Sequence, residues 1–175
     1  MLTGYGPIRQ LGYVVRDIEA AMEAWATKLR IGPWFYNPRL ALSSYRFRGI
    51  AHDDFHMSYA LANSGDMQIE LIQQRCDTPS LYREFLDRHG EGLQHVCVWP
   101  EDYDAVHALA RSSGLVPAQE GTMRHIRFAY FEDLGPGGTS LEMSEMVPER
   151  LPGIAHIRNA ADRWDGKDPV RPYGR

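Results

Sequence analysis

Apolar and polar positions follow the same course twice along this chain. A short strand-like run comes first, then a stretch in which apolar residues recur every three or four positions. Residues 8–15 carry Ile8, Leu11, Tyr13, Val14 and Val15 between Pro7 and Asp17, the composition of a strand. Ile18, Ala21, Met22, Trp25 and Leu29 then recur at helical spacing until Gly32-Pro33, with Asp17 placed to cap the helix. Trp34-Phe35-Tyr36 is a short aromatic strand, and Pro38, Ser43, Ser44 and Gly49 make residues 37–54 a loop or a broken strand. Strands are predicted over 56–61 and 67–73, joined by the turn Asn63-Ser64-Gly65-Asp66. Thr78-Pro79-Ser80 opens a linking helix with Leu81, Phe85 and Leu86 on its apolar face, closed by Gly90 and Gly92.

The second course begins at Gly92-Leu93-Gln94-His95-Val96-Cys97-Val98. Asp102 starts a helix with Val106, Leu109 and Ala110 inward, ended by Gly114; strands follow over 115–119, 125–132 and 139–146, the last after the turn Gly135-Pro136-Gly137-Gly138. His95 stands seven residues before Asp102, as Gln10 stands seven before Asp17. The chain therefore reads as strand–helix–three strands, written twice: one module over 7–75, a linking helix over 78–89, a second module over 92–147 and a C-terminal extension over 148–175. Two copies are too few for a solenoid, so the two sheets must pack together to bury their faces, giving an α+β fold. The copies differ mainly over 38–54, where an insertion costs little. In the extension a short helix is expected around 154–163, followed by an irregular tail.

Composition narrows the partners. A chain of 175 residues with 43% hydrophobic and 24% charged residues suits a single globular domain. A net charge of −4 argues against a nucleic-acid surface. No run approaches the roughly 18 apolar residues of a membrane span, and residues 1–10 lack the pattern of a signal peptide. Cys76 and Cys97 fit neither a disulfide framework nor a zinc motif, so a reducing cytoplasm is expected.

Each module ends on a glutamate between apolar neighbours, Ile69-Glu70-Leu71 and Leu141-Glu142-Met143, and begins on a strand with one polar residue, Gln10 or His95. Strand alternation sets each carboxylate opposite its apolar flanks. If the modules pair about a pseudo-twofold axis, Gln10, Glu70, His95 and Glu142 converge, and an imidazole, an amide oxygen and two carboxylates suit a divalent cation. Singly, each has a plainer explanation: a histidine in an apolar strand is ordinarily a hydrogen-bonded core residue. Glutamates sharing a face with Gln68, Ser140 and Ser144 suit the wet side of an antiparallel sheet. Their duplication is what favours a site.

Gln10-Leu-Gly-Tyr-Val-Val-Arg-Asp17, Gln68-Ile-Glu70-Leu-Ile72, Gly92-Leu-Gln-His95-Val and Ser140-Leu-Glu142-Met143 resemble the vicinal oxygen chelate superfamily, the glyoxalase I and methylmalonyl-CoA epimerase group, over about residues 7–147. The resemblance implies paired βαβββ modules forming an open, cup-shaped mixed sheet, the glyoxalase/bleomycin resistance fold, around one divalent metal ion (Zn, Ni, Co, Mn, Mg or Fe). The glyoxalase I ligand pattern falls on Gln10, Glu70, His95 and Glu142. Epimerases of the group more often carry histidine at the first position, and with Gln10 there the two-histidine iron site of extradiol dioxygenases is not available. The resemblance implies a metal-dependent isomerase or epimerase that abstracts a proton alpha to a carbonyl with a metal-stabilised enolate, Glu142 acting as base and Glu70 as its opposite-face partner. The alternatives are a glyoxalase-type lyase on a glutathione adduct and a metal-free small-molecule binding or resistance protein.

Trp34, Tyr36, Tyr59, Phe128 and Tyr130 are candidates for the substrate pocket. Arg127 is a candidate for a substrate anion, and His56 and His125 for proton transfer. The partner is a small-molecule substrate, with neither nucleic acid nor membrane, and relatives of this kind commonly form a homodimer. The extension either covers the open cup or clasps a neighbouring subunit, with Trp164 as its one large apolar anchor.

Overall fold

Three helices start where a side chain meets the free amides of the first turn. Asp17 accepts from Ala20 N at 2.9 Å, Ser80 from Arg83 N at 3.1 Å and Asp102 from Ala105 N at 3.0 Å, each cap contributing about 1 kcal/mol. The structure is a computed structural model and describes residues 4–132, 134 and 139–174. The first module comprises β1 (Ile8–Val14), α1 (Ile18–Ala24) with a π turn over Trp25–Leu29, β2 (Trp34–Ala41), β3 (Ser44–Phe47), β4 (Ile50–Ala51), β5 (His56–Ser64) and β6 (Met67–Gln74). After α2 (Leu81–His89), the second comprises β7 (Gly92–Val98), α3 (Tyr103–Ser112), β8 (Pro117–Met123), β9 (Ile126–Phe131) and β10 (Ser140–Ser144). A 3-10 turn (Pro148–Arg150), α4 (Leu151–Asp162) and β11 (Val170–Pro172) complete the described chain.

These strands form one mixed sheet in the order β11-β2-β5-β6-β1-β7-β10-β9-β8-β3-β4. The modules meet at its centre, where β1 and β7 run antiparallel, and each first strand is flanked by its own module's last strand in parallel. β2 and β3 lie near opposite ends of the order, yet only Leu42 and Ser43 separate them in the chain. Three peptide links span at most ~11 Å. The sheet must therefore curl until its edges nearly meet, which makes it a deep cup.

α1 covers the outer face of the first module through Ile18 and Met22, packed with Trp34, Ala60, Ile69 and Leu71. α3 does the same for the second through Val106 and Ala110, against Phe131, Leu141 and Met143. The inner face is apolar as well: Phe35, Met57, Leu61 and Ile72 form one cluster with Tyr82 of α2 and Ile157 of α4.

The structure decides one open reading and corrects two expectations. Of the loop and the broken strand read over 37–54, the broken strand holds: β2 continues past Pro38 through a register shift between Asn37 and Leu40, and β3 crosses to pair with β8 of the other module. The stretch 120–123 belongs to β8, and the chain turns at Arg124, whose φ is +58°. The tail is not irregular, since β11 adds to the sheet beside β2, pairing Val170 with Trp34 and covering an otherwise open edge. The turn read at Gly135-Pro136-Gly137-Gly138 lies outside the described residues. No described helix is long and apolar enough to cross a membrane.

The tail is held by Trp164, which belongs to the α1-side cluster. Its ring lies so close to Gly32 that a Cβ there would come within 2.9 Å of it, and its Nε1 donates to Lys167 O at 2.6 Å. Trp164→Ala is expected to destabilise the protein by about 2 kcal/mol, less than a fully buried tryptophan would cost. Limited proteolysis of this variant should cut preferentially after residue 163; an unchanged digestion pattern would mean the tail is held elsewhere.

Candidate metal centre

Register explains how four residues far apart in sequence come to one place. Across the β1/β7 seam Gly12 faces His95 and Gln10 faces Cys97; on the flanks Glu70 lies beside Gly12 and Glu142 beside Cys97. The two modules thus present matching positions to the inside of the cup. Ligand atoms of Glu70, His95 and Glu142 lie within 4.8 Å of one another, with His95 Nε2 at 3.3 Å from Glu70 Oε2 and 3.2 Å from Glu142 Oε2. Gln10 lines the same cavity and donates through Nε2 to Gln68 Oε1 at 2.8 Å, leaving its own amide oxygen as an acceptor. This face is not the wet side of a sheet: His95 is fully enclosed, and the glutamate side chains are only 12% and 9% exposed.

Three neighbours hold the imidazole. Gly12 gives it room, because a Cβ at that position would fall within 1.8–2.4 Å of three of its ring atoms. Gln94 fixes its tautomer. The register slips between Gly12 and Tyr13, a bulge in β7 at Gln94 that gives adjacent residues access to one another. Gln94 Oε1 consequently lies 2.9 Å from His95 Nδ1, while Gln94 Nε2 donates to Ser140 Oγ at 3.2 Å. Nδ1 then carries a hydrogen in either protonation state of the ring, and Nε2 is the nitrogen aimed between the carboxylates, the orientation that metal-ligating histidines adopt. Tyr130 packs edge-on against the ring at 5.1 Å and receives a 2.8 Å hydrogen bond from Tyr82. Gly12→Ala is expected to displace the imidazole and weaken divalent-metal affinity at least about tenfold, the scale of a misplaced ligand shell. Calorimetric titration with Zn²⁺ would measure this, and unchanged affinity would remove His95 from the ligand set.

The electrostatics mark a site missing a charge. Burial opposes ionisation of His95, yet the adjacent Glu142 and Glu70 outweigh it and push its pKa up to about 9. Burial and the neighbouring Glu142 charge raise the Glu70 carboxyl, whereas contact with His95 overcomes burial and holds Glu142 below the usual carboxylate range. Even so, His95 Nε2 and Glu142 Oε2 remain buried without a hydrogen-bond partner of good geometry. Two carboxylate oxygens and an imidazole nitrogen left facing one another fit a divalent cation.

A pH dependence follows. In the metal-free protein the folded state holds the His95 proton more tightly than the unfolded chain does. That stabilisation is complete below about pH 6.5 and is lost as pH rises through about 9. The melting temperature of EDTA-treated protein should fall across that interval, and the fall should vanish in His95→Gln. Metal affinity should rise over the same interval, because the cation displaces the proton.

Above the site lies a cavity of about 250 Å³, walled by Leu40, Leu42, Met57, Leu61 and Phe128 and roofed by Gly153, Ile154 and Ile157 of α4. Of the pocket candidates, Tyr59, Phe128 and Tyr130 line it, and His125 stands at its mouth. Trp34, Tyr36 and Arg127 do not. Alternation turns Trp34 into the α1-side cluster, and the Tyr36 hydroxyl pairs with Glu19. Arg127 is on the outer side, bound to Asp104 at 2.8 Å and Glu145 at 2.7 Å. His56 is also outside the cavity lining, with Nδ1 2.9 Å from Asp54 O. Gly12, Gln94, Tyr82 and Arg150 were not among the sequence candidates; of these, Gly12 had a readable signal, a glycine two residues beyond a proposed ligand.

A curled sheet of two βαβββ modules carries a buried Glu-His-Glu set at their seam, a candidate metal centre. The chain belongs to the glyoxalase/bleomycin resistance protein/dioxygenase superfamily, whose pattern matches residues 9–131. That span takes in Gln10, Glu70 and His95; Glu142 and the tail lie beyond it. Among solved structures, methylmalonyl-CoA epimerase from Mycobacterium tuberculosis is 22% identical with a TM-score of 0.58, over 87% of this chain and 96% of that one. A hypothetical protein from Bacillus halodurans is 15% identical with a TM-score of 0.56, over 81% and 94%. A selenomethionine-labelled methylmalonyl-CoA epimerase is 16% identical with a TM-score of 0.52, over 80% and 94%. At these identities the likeness is one of fold. No curated protein matches by sequence.

Proposed function

We propose that the protein is a metal-dependent isomerase or epimerase that moves a proton at a carbon next to a carbonyl. The observation that carries this reading is the pair of buried carboxylates, one from the last strand of each module, set about one imidazole at the floor of an apolar cavity. Glu70, His95 Nε2, Glu142 and the amide oxygen of Gln10 are the residues that would hold the ion. When bound, a divalent cation supplies Lewis acidity toward substrate oxygens and charge to offset the two glutamates. The protein's own residues do the rest. Glu142 takes the α-proton and Glu70 returns one from the other flank of the β1/β7 seam, since β10 and β6 border that seam on opposite sides. Leu40, Leu42, Leu61 and Ile157 limit water over the glutamates, so that solvent competes poorly with the substrate carbon for the proton a carboxylate carries. Tyr82 and Tyr130, both held protonated by burial, keep the imidazole in place. The shared fold with methylmalonyl-CoA epimerases accords with such chemistry.

Deuterium wash-in from D₂O tests it. Metal-loaded protein would be incubated with a panel of acyl-CoA thioesters, free oxo acids and a glutathione hemithioacetal, with exchange followed by NMR. Glu142→Gln should lower exchange by about 100-fold or more, with metal still bound; full turnover in that variant would remove Glu142 as the base. Elemental analysis should find metal in the wild type and its loss in Glu70→Ala and His95→Ala. A wild-type protein that neither holds nor takes up a divalent ion would overturn the reading and leave a metal-free binding protein.

A further inference from the structure

Outside the ligand set, the group that most directly bears on what enters the cavity is Arg150, the last residue of the 3-10 turn that leads into α4. Its placement is built. Nη1 donates to Ser144 O at 3.3 Å, to Ser144 Oγ at 3.1 Å and to Glu145 O at 2.5 Å, and the guanidinium lies 5.4 Å from the Trp99 ring centroid. Nε and Nη2 donate to no atom of the described residues, and no described carboxylate forms an ion pair with the group. Ser144 shares its face of β10 with Glu142, so the guanidinium stands at the end of the row that begins with the proposed base.

Charge balance decides what it is for. A divalent cation would cancel Glu70 and Glu142. Of the remaining charged groups lining the cavity, Arg124 and Glu149 are exposed at the mouth and of opposite sign, leaving Arg150 as the half-buried, uncompensated one. A guanidinium with one edge tied to backbone and the other open is pre-set for a carboxylate. The surrounding wall is hydrocarbon, from Leu40, Leu42, Leu61, Ile154 and Ile157. A 250 Å³ cavity roofed by α4 suits a body of a few carbons.

We propose that Arg150 anchors the carboxylate of the substrate, and that the substrate is a small free acid with an apolar body. This rests on the cup being a substrate site; it deepens the proposed function and does not depend on proton transfer.

Calorimetric titration with three isosteric probes, 4-methylpentanoate, 4-methylpentanamide and 4-methylpentylamine, reads the charge preference directly on unmutated protein. The acid should bind at least about tenfold more tightly than the amide, the scale of a charge-assisted hydrogen bond, and the amine should not bind. The preference should weaken but persist in EDTA-treated protein, where Glu70 and Glu142 also act on Arg150, fall to within about twofold in Arg150→Gln and survive in part in Arg150→Lys. Absence of an acid preference in the wild type overturns the proposal. So does a preference that Arg150→Gln leaves intact, or one lost on chelation but kept in the variant, which puts the carboxylate on the metal. Arg150-dependent binding of methylmalonyl-CoA without binding of methylmalonate overturns the choice of a free acid. A protein that binds acids through Arg150 but exchanges no α-proton loses the proposed reaction and keeps this anchor; one that exchanges protons without an Arg150 preference does the reverse.

Discussion

Two glutamates and a histidine buried within 4.8 Å of one another are the constraint to which the rest of the molecule answers. Taking like charges out of water is costly unless an opposite charge stands between them. In the metal-free chain the His95 proton serves, which is why its pKa climbs to about 9 against the opposing effect of burial. A divalent cation would do the same work with twice the charge and would take the Nε2 lone pair as a ligand. The surrounding details follow from keeping that nitrogen aimed. Gly12 clears the space, Gln94 holds Nδ1 and Tyr130 blocks rotation of the ring.

Duplication makes the site possible and also limits its symmetry. Two modules joined at first strands bring two last strands to equal distances from the seam, so one glutamate per copy suffices to build a pair. The first-strand positions then diverge. His95 requires a glycine across the seam, whereas Gln10, with a shorter demand for space, faces Cys97. Gln10 instead anchors Gln68, donating to it through Nε2.

Much of this was legible in the chain because it is encoded locally. An N-capping aspartate at a fixed distance behind a strand, and a glutamate between apolar neighbours, repeat at Asp17 and Asp102, Glu70 and Glu142. What escaped depends on register and on contacts between distant segments. Pairing of β3 with β8 decides between the loop and the broken strand read over 37–54, and only the partner strand could reveal it. The bulge that carries Gln94 to His95 is a property of two strands together. Aromatic positions were misassigned by phase: Trp34 and Tyr36 alternate away from the cavity while Phe35 between them joins the inner cluster. Arg127 was placed on the wrong side for the same reason, since Phe128 and Tyr130 hold the inward phase of β9.

The tail encloses a charge arrangement that the two modules build. The modules alone make a cup whose floor is polar and whose mouth is open to water, where Glu70 and Glu142 would be well solvated. α4 lays Ile154 and Ile157 over that mouth and lowers the dielectric around Glu70 and Glu142, so every charge on the floor acts more strongly on what is enclosed. The same segment brings Arg150 into the wall just before the helix begins. Closure and the cavity's half-buried positive charge therefore come from one segment, docked through Trp164 and tied down by β11. A ligand that satisfies Arg150 must also fit beneath α4. On the proposed reading, discrimination between ligands would be set by the 28-residue extension over 148–175 more than by Gln10, Glu70, His95 and Glu142, which any carbonyl substrate would use alike.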